Sequence, residues 1–371
     1  MSSESAVIGL RIAAAREQAG LTQQELSVEA GIERSALAKI ERGLRRVGAL
    51  ELAALARALE MRIEWFVYDA PAAIVSHRTG SGEMVELATI DRELERLARD
   101  VEMMASLDEA LIPPMMEPFS MPDSGAAAER LAEEARQLCQ LDQNEPVTDL
   151  VGTMADVGLF AFSRDLGTET ADAGTILLER GGVALVNSSN LVGRRRLALA
   201  HEFGHFVFAD EYTVDWRIAE HNSSDETESR IDRFARAFLA PAPGLKSYWL
   251  RAREERTVRD SAVLTASYFR VDMSTLSRRL HELGIASVDE CSEVRRVRTT
   301  QADIVENGLF VPHDLDATSL PPRYSQSVLR QYRREMISSD RALSLLGGTF
   351  GPDDLPELPS AHVDEIWNLV R

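Results

Sequence analysis

The sequence is poor in cysteine, with only Cys139 and Cys291, far apart in the chain. That excludes a disulfide-stapled scaffold and a thiolate zinc site. It lacks any apolar run near the ~20 residues needed to span a bilayer, and it lacks an amino-terminal charged-then-apolar signal pattern. A cytoplasmic protein with no membrane partner is therefore expected. It also lacks a basic excess: 41 Lys and Arg stand against 60 Asp and Glu, a net charge of −19, so the molecule as a whole is no general nucleic-acid binder. No long internal repeat is present. What remains is 44% hydrophobic and 27% charged over 371 residues, an ordinary globular composition with room for two or three domains.

The acid is unevenly spread. Residues 1–69 hold nine basic and ten acidic residues, so nearly all the excess falls later and an N-terminal DNA-reading face stays possible. Residues 8–66 read as five short helices. Ile8, Ile12 and Ala15 share a face, and Gly20 stops the first helix. In "TQQELSVEA", Thr22 followed by Glu25 forms a capping box. Gly31 supplies a tight turn, "ERSALAKIERG" makes a third helix ending at Gly43, and 49–59 and 62–67 give two more. Ala30, Ile32, Leu37 and Ile40 are the expected packing positions. A helix, a glycine turn and a second helix on flanking helices is the helix-turn-helix arrangement.

The stretch "LTQQELSVEAGIERSALAKIERG" closely resembles the Xre/Cro repressor family over about sixty residues. The resemblance implies that the third helix enters the major groove of a double-stranded operator. Glu33, Arg34, Ser35, Ala36 and Lys39 would then face the DNA, and Gln23 would contact phosphate. Arg42, Arg45 and Arg46 form a basic cluster just beyond, placed for backbone contacts. Arg34 to a guanine is the favoured single base contact on chemistry alone.

Residues 70–124 read as a connector. Residues 70–83, "APAAIVSHRTGSGE", have linker composition. Over 84–106, Leu87, Ile90, Leu94, Leu97, Val101 and Met104 recur at three and four residues. Such a seam is either a dimer helix suited to a two-fold operator, giving a homodimer, or a helix packed on its own domain. Residues 108–124, with four prolines, mark a second boundary.

Residues 125–243 carry the chemistry. Helices are expected over 126–140 and 146–156, and strands at 158–165, 174–180 and 182–189, the last two joined by a Gly-Gly hairpin turn. The apolar helix "LALAHEFGHFVF" follows. His201 and His205, four apart, share one face and can bind one ion. Glu202 is turned away by about 100°, so it holds the attacking water and takes its proton. Two imidazoles, one carboxylate and a water suit one Zn2+ per chain. The third ligand is sought in "DETESRIDRFARAFLAP", where Glu228 can ligate. Asp232, one turn on, can accept a proton-bearing nitrogen of a ligand histidine. Asp225 and Glu226 fit helix capping better, and His221 is a rival ligand or transition-state donor.

Residues 126–241 resemble the ImmA/IrrE metallopeptidases, which are gluzincin-like, through "GGVALVNSS", "RRRLALAHEFGH" and "ESRIDRFARAFLAP". The resemblance makes His201, His205 and Glu228 zinc ligands and Glu202 the catalytic base. Ile231 at a usually small position and Ala240 in place of Met depart from the family pattern without touching a ligand. The typical substrate in that family is an Xre-type repressor.

Residues 244–371 are expected to be helical. Residues 263–285 read as helix-turn-helix again, a second DNA reader or a cap over the peptidase, with Arg278 and Arg279 exposed. Residues 327–347 read as a helical pair, and the acidic tail as flexible. The expected fold is thus mainly α with a small β-sheet: a five-helix DNA-binding domain, an α+β gluzincin-like domain and a helical C-terminal region. The expected function is a DNA-binding regulator whose zinc endopeptidase cleaves a repressor, an antitoxin or itself; for self-cleavage the linkers at 70–83 and 108–124 are the stretches most open to cutting, and the sequence names no scissile bond. The alternative is a non-proteolytic repressor or antitoxin whose zincin domain binds a toxin or other partner or senses a signal.

Overall fold

The computed structural model describes residues 3–18, 21–59, 66, 75–78, 84–114, 116–167, 171–208 and 224–358. It divides into two compact units, Met1–Pro71 and Ala72–Arg371.

The first unit holds helices Ser3–Gln18, Gln23–Glu29, Arg34–Glu41 and Ala49–Ala58. The Thr22 capping box forms: the Glu25 amide donates to Thr22 Oγ1 at 3.2 Å, and the Thr22 amide donates to Glu25 Oε2 at 2.7 Å. Gly31, with φ +65°, turns the chain into the Arg34–Glu41 helix, a conformation glycine adopts without strain. Ile12, Leu26, Leu37, Ile40, Leu55 and Phe66 fill the core. Apart from Phe66, the fifth helix expected at 62–67 lies outside the described residues.

The second unit is built on a four-stranded sheet in the order β1-β3-β4-β2. The strands are Val75–Arg78 (β1), Leu159–Arg164 (β2), Ala173–Leu177 (β3) and Gly182–Asn187 (β4). β3 and β4 form the expected hairpin, β2 runs parallel to β4, and β1 pairs antiparallel with β3. Alternation along the strands separates two cores. Leu159, Ala161, Ala173, Ala184 and Val186 face one side with the histidine helix Val192–Val207. Phe160, Phe162, Ile176, Val183 and Leu185 face the other, with the connector helix Met84–Leu107.

That second core corrects the dimer-helix reading. Ile90, Leu94, Leu97, Val101 and Met104 are buried against the unit's own sheet and against Tyr324, Val328 and Leu345 of the C-terminal helices Pro322–Arg333 and Ser339–Leu345. From Ile90 to Met104 the seam is covered by its own unit. The linker reading of 70–83 is corrected as well, since residues 75–78 form β1. Residues 108–124 are fastened down: Leu111 and Ile112 are buried, and the Phe119 amide donates to the Val207 carbonyl at 2.7 Å. The division at 243/244 also disappears. Leu245, Trp249, Phe269, Leu276 and Leu280 share one core with Phe203, Phe234 and Phe238. Among the described residues no helix is long and apolar enough to cross a membrane.

Candidate metal centre and nucleic-acid interface

The histidine helix is anchored at its start by three consecutive arginines. Arg194 pairs with Asp172, Arg195 with Asp316, and the fully buried Arg196 with Asp314. Further along, Gly204 lets the glutamate helix Ser224–Leu239 approach closely. A Cβ on Gly204 would stand 2.7 Å from Ile231 Cγ2. Ile231, the bulky departure from the family pattern, therefore fills the space that Gly204 leaves open.

This packing brings the ligands expected from sequence together. One donor atom from each of His201, His205 and Glu228 lies within 4.8 Å of the others. The two Nε2 atoms are 3.1 Å apart, and Glu228 Oε2 and Oε1 lie 3.1 and 3.6 Å from His201 Nε2 and His205 Nε2. Two ligand atoms on a tetrahedral zinc, each ~2.0–2.1 Å from the ion, stand about 3.3 Å apart. The spacing and the donor set both fit that ion. Asp232 also falls where expected: His201 Nδ1 donates to Asp232 Oδ1 at 2.9 Å, which turns the Nε2 lone pair toward the site.

The electrostatics favour positive charge at this vertex. Burial by itself would depress the His201 pKa, but hydrogen bonds to Asp232 and Glu228 outweigh it and raise the imidazole to about 9. Burial would raise Glu228, yet the two histidines hold it well below the usual carboxylate range. Glu202 is fully buried, and neither carboxylate oxygen has a hydrogen-bond partner among the described residues. Burial raises its pKa, only partly offset by His205 and His201. A buried carboxylate without partners is costly; beside three converging ligand atoms it is a group waiting for a proton donor. The buried Thr175 hydroxyl of β3 also lacks a hydrogen-bond partner among the described residues.

Behind Asp232 runs an ion chain not foreseen from the sequence. Arg236 lies 3.6 Å from Asp232 Oδ2 and 2.7 Å from Glu282. Arg279 follows, paired with both Glu282 and Glu129, and Arg233 closes the chain on Glu129. Arg279 is fully buried, which corrects its expected exposure; Arg278 is exposed. Asp232 and Arg236, four apart on one helix, were a visible signal; Glu282 and Glu129 were not. Glu226 pairs with Arg230 across one turn and stands away from the ligands. His221 lies outside the described residues.

In the first unit Glu33, Arg34, Ser35 and Lys39 are exposed along the Arg34–Glu41 helix, and Ala36 is half-buried. Arg42, Arg45 and Arg46 are exposed just beyond. Arg34, Lys39 and Arg46 carry no ion pair among the described residues, whereas Arg45 pairs with Glu51 at 2.8 Å. Gln23 is half-buried and has a partner within the unit. Its amide nitrogen donates to the buried Glu41 at 2.6 Å, and Glu41 also holds Arg16. That side chain braces the domain interior.

Residues 12–66 match the helix-turn-helix family, and residues 156–281 match the family of IrrE N-terminal-like domains. No curated protein matches the chain. Among solved structures, the restriction-modification controller protein C.AhdI from Aeromonas hydrophila is 29% identical; the match covers 18% of this chain and 98% of that one, with a TM-score of 0.17.

Proposed function

We propose that this chain, an Xre-type helix-turn-helix domain fused to an ImmA/IrrE-type metallopeptidase domain, is a transcriptional regulator with a working zinc endopeptidase that cleaves a repressor- or antitoxin-type protein or its own chain. One observation carries the catalytic half: His201, His205 and Glu228 converge beside the buried, unpartnered Glu202. His201, His205 and Glu228 would hold the ion, and Asp232 would fix His201. An ion held there would supply Lewis-acid polarisation of a peptide carbonyl and a lowered pKa for a water. Glu202 accepts the proton lost as the water oxygen bonds to the carbonyl carbon. It then returns that proton to the departing amine nitrogen as the C–N bond breaks. The DNA-reading half rests on the exposed Arg34 and Lys39 for base and phosphate contacts, with Arg42 and Arg46 on the backbone.

The two halves are separable by substitution. Arg34→Ala with Lys39→Ala is expected to lose specific operator binding, read by gel shift against the chain's own promoter, while zinc content stays at one per chain. Glu202→Gln is expected to do the reverse, keeping operator binding and zinc and losing cleavage. Full operator binding by the double variant would displace the recognition helix from its assigned role.

A further inference from the structure

We infer that Glu282, at the end of the C-terminal helix Met273–Glu282, is a positioning residue for the metal centre: it holds the Arg236 guanidinium off Asp232 and so keeps Asp232 aligned with the ligand His201. The inference deepens the metal-centre reading, on which it rests. It also gives a task to a segment that the sequence left as a second DNA reader or a cap. Glu282 stands one position beyond the residues matched to the family of IrrE N-terminal-like domains.

Three groups meet at Arg236. Asp232 and Arg236 are one turn apart on the same helix, and such a pair by itself is soft. Their separation here is 3.6 Å, longer than a hydrogen bond. Glu282 comes from a different helix and grips Arg236 twice through one oxygen. Arg236 Nε donates to Glu282 Oε1 at 3.0 Å, and Nη2 lies 2.7 Å from the same atom. The two side chains are only 10% and 9% exposed, so little water competes for them. Glu282 Oε2 is buried without a hydrogen-bond partner among the described residues, 3.7 Å from Arg279. Arg279 turns its donors elsewhere: Nε to the Ala240 carbonyl at 3.0 Å and Nη2 to Glu129 at 2.7 Å. The guanidinium of Arg236 therefore belongs to Glu282 first and to Asp232 second.

The consequence lies at Asp232. Its Oδ1 accepts from His201 Nδ1 at 2.9 Å, and that bond fixes the ring whose Nε2 faces the other ligands. A guanidinium is a planar fork that closes on a carboxylate with two parallel donors where nothing restrains it. Freed from Glu282, Arg236 would close on Asp232 and compete with His201 for it. Glu282 prevents that closure from behind. The C-terminal helix thereby takes part in the metal centre without reaching it.

The test measures zinc affinity by competition with a chelator, in the full chain with and without Asp232→Asn. Glu282→Gln removes the charge that holds the guanidinium and keeps the size of the side chain. With Asp232 present it is expected to weaken zinc binding about tenfold, the lower end for outer partners of a metal ligand. In the Asp232→Asn chain the same change should alter affinity by no more than about twofold, because an amide gives the guanidinium no charge to close on. Glu282→Asp, which keeps the charge, should recover part of the loss. A role confined to helix packing would lower the zinc-free unfolding midpoint alike in both chains and leave no difference between them in zinc affinity. Unchanged affinity in Glu282→Gln, or equal losses with and without Asp232→Asn, overturns the inference. Should Glu282→Gln fail to fold, Glu282→Asp in the same two chains reads the same difference with the same two outcomes. Cleavage plays no part in the readout. An unaltered chain that binds no zinc would sink the metal-centre reading and this inference with it, whereas one zinc per chain, held as tightly after Glu282→Gln as before, sinks this inference alone.

Discussion

His201 is held at both ring nitrogens, by Asp232 behind and by Glu228 in front. Asp232 is itself steadied by Arg236, which is locked to Glu282. The orientation of one ligand therefore depends on a guanidinium that never reaches the centre. Partners of this kind tune metal affinity by roughly 10–100-fold. Asp232→Asn and Arg236→Ala are each expected to weaken zinc binding within that range, measured by competition with a chelator of known affinity. Arg236→Lys should recover part of the loss. Unchanged affinity in Asp232→Asn would show that His201 needs no brace. At this scale the sequence was informative wherever ligands shared a helix: His201 with His205, and Glu228 with Asp232, are one turn apart, and helical geometry alone aligns them. The reach from Asp232 to Glu282 and Glu129 was hidden, because it joins three helices that only tertiary packing brings together. The Gln23 hydrogen bond was hidden for a similar reason, since its partner Glu41 lies on another helix.

Among the elements, the contact between the histidine and glutamate helices decides whether the ligands meet. Gly204→Ala would press a methyl within 2.7 Å of Ile231 Cγ2. We expect a loss of about 1–3 kcal/mol from overpacking and a weaker zinc site. Ile231→Ala alone should also destabilise, by about 2–5 kcal/mol, through the cavity it leaves. Together the two should cost less than their sum, because the inserted methyl occupies vacated space. Additive losses in urea unfolding would mean that the helices do not touch there. The connector helix teaches the converse lesson about reading sequence. Its three-and-four spacing correctly announced a buried face from Ile90 to Met104, but periodicity cannot say what covers that face. The cover comes from β-strands and from helices more than two hundred residues away. Residues 75–78 gave no strand signal, since they lie among Ala, Gly and Ser without sustained alternation.

For the molecule as a whole, the acidic excess of the chain is partly consumed in internal pairs that pin distant segments together. Glu129 joins the helix Gly125–Leu138 to Arg279 at 2.7 Å and to Arg233 at 3.0 Å. Burial would raise its pKa, but the two guanidiniums outweigh that and hold it below the model-peptide carboxylate value. A group whose pKa falls on folding binds fewer protons in the native state than in the unfolded one. Its stabilisation is therefore complete above the unfolded pKa, near 4.5, and is lost as the pH falls through the lower folded value. Glu129→Gln should flatten that acid limb in urea titrations at several pH values. At neutral pH it should cost about 3 kcal/mol, the lower end for breaking a buried pair, because Glu282 also stands 3.7 Å from Arg279. An unaltered acid limb would remove Glu129 from the account.

The central claim is that the DNA-reading chain also carries a working peptidase, and one paired measurement addresses it directly. Wild-type and Glu202→Gln chains would be purified and their zinc quantified. Each would then be incubated alone and with the proteins encoded beside it, and the products weighed by intact-mass spectrometry. We predict one zinc per chain in both, and a cut made only by the wild type, at a bond that the fragment masses identify. One zinc in both with no cut under any condition, or the same cut from both, would contradict the assignment and leave the His201, His205 and Glu228 cluster as a partner-binding or sensing site.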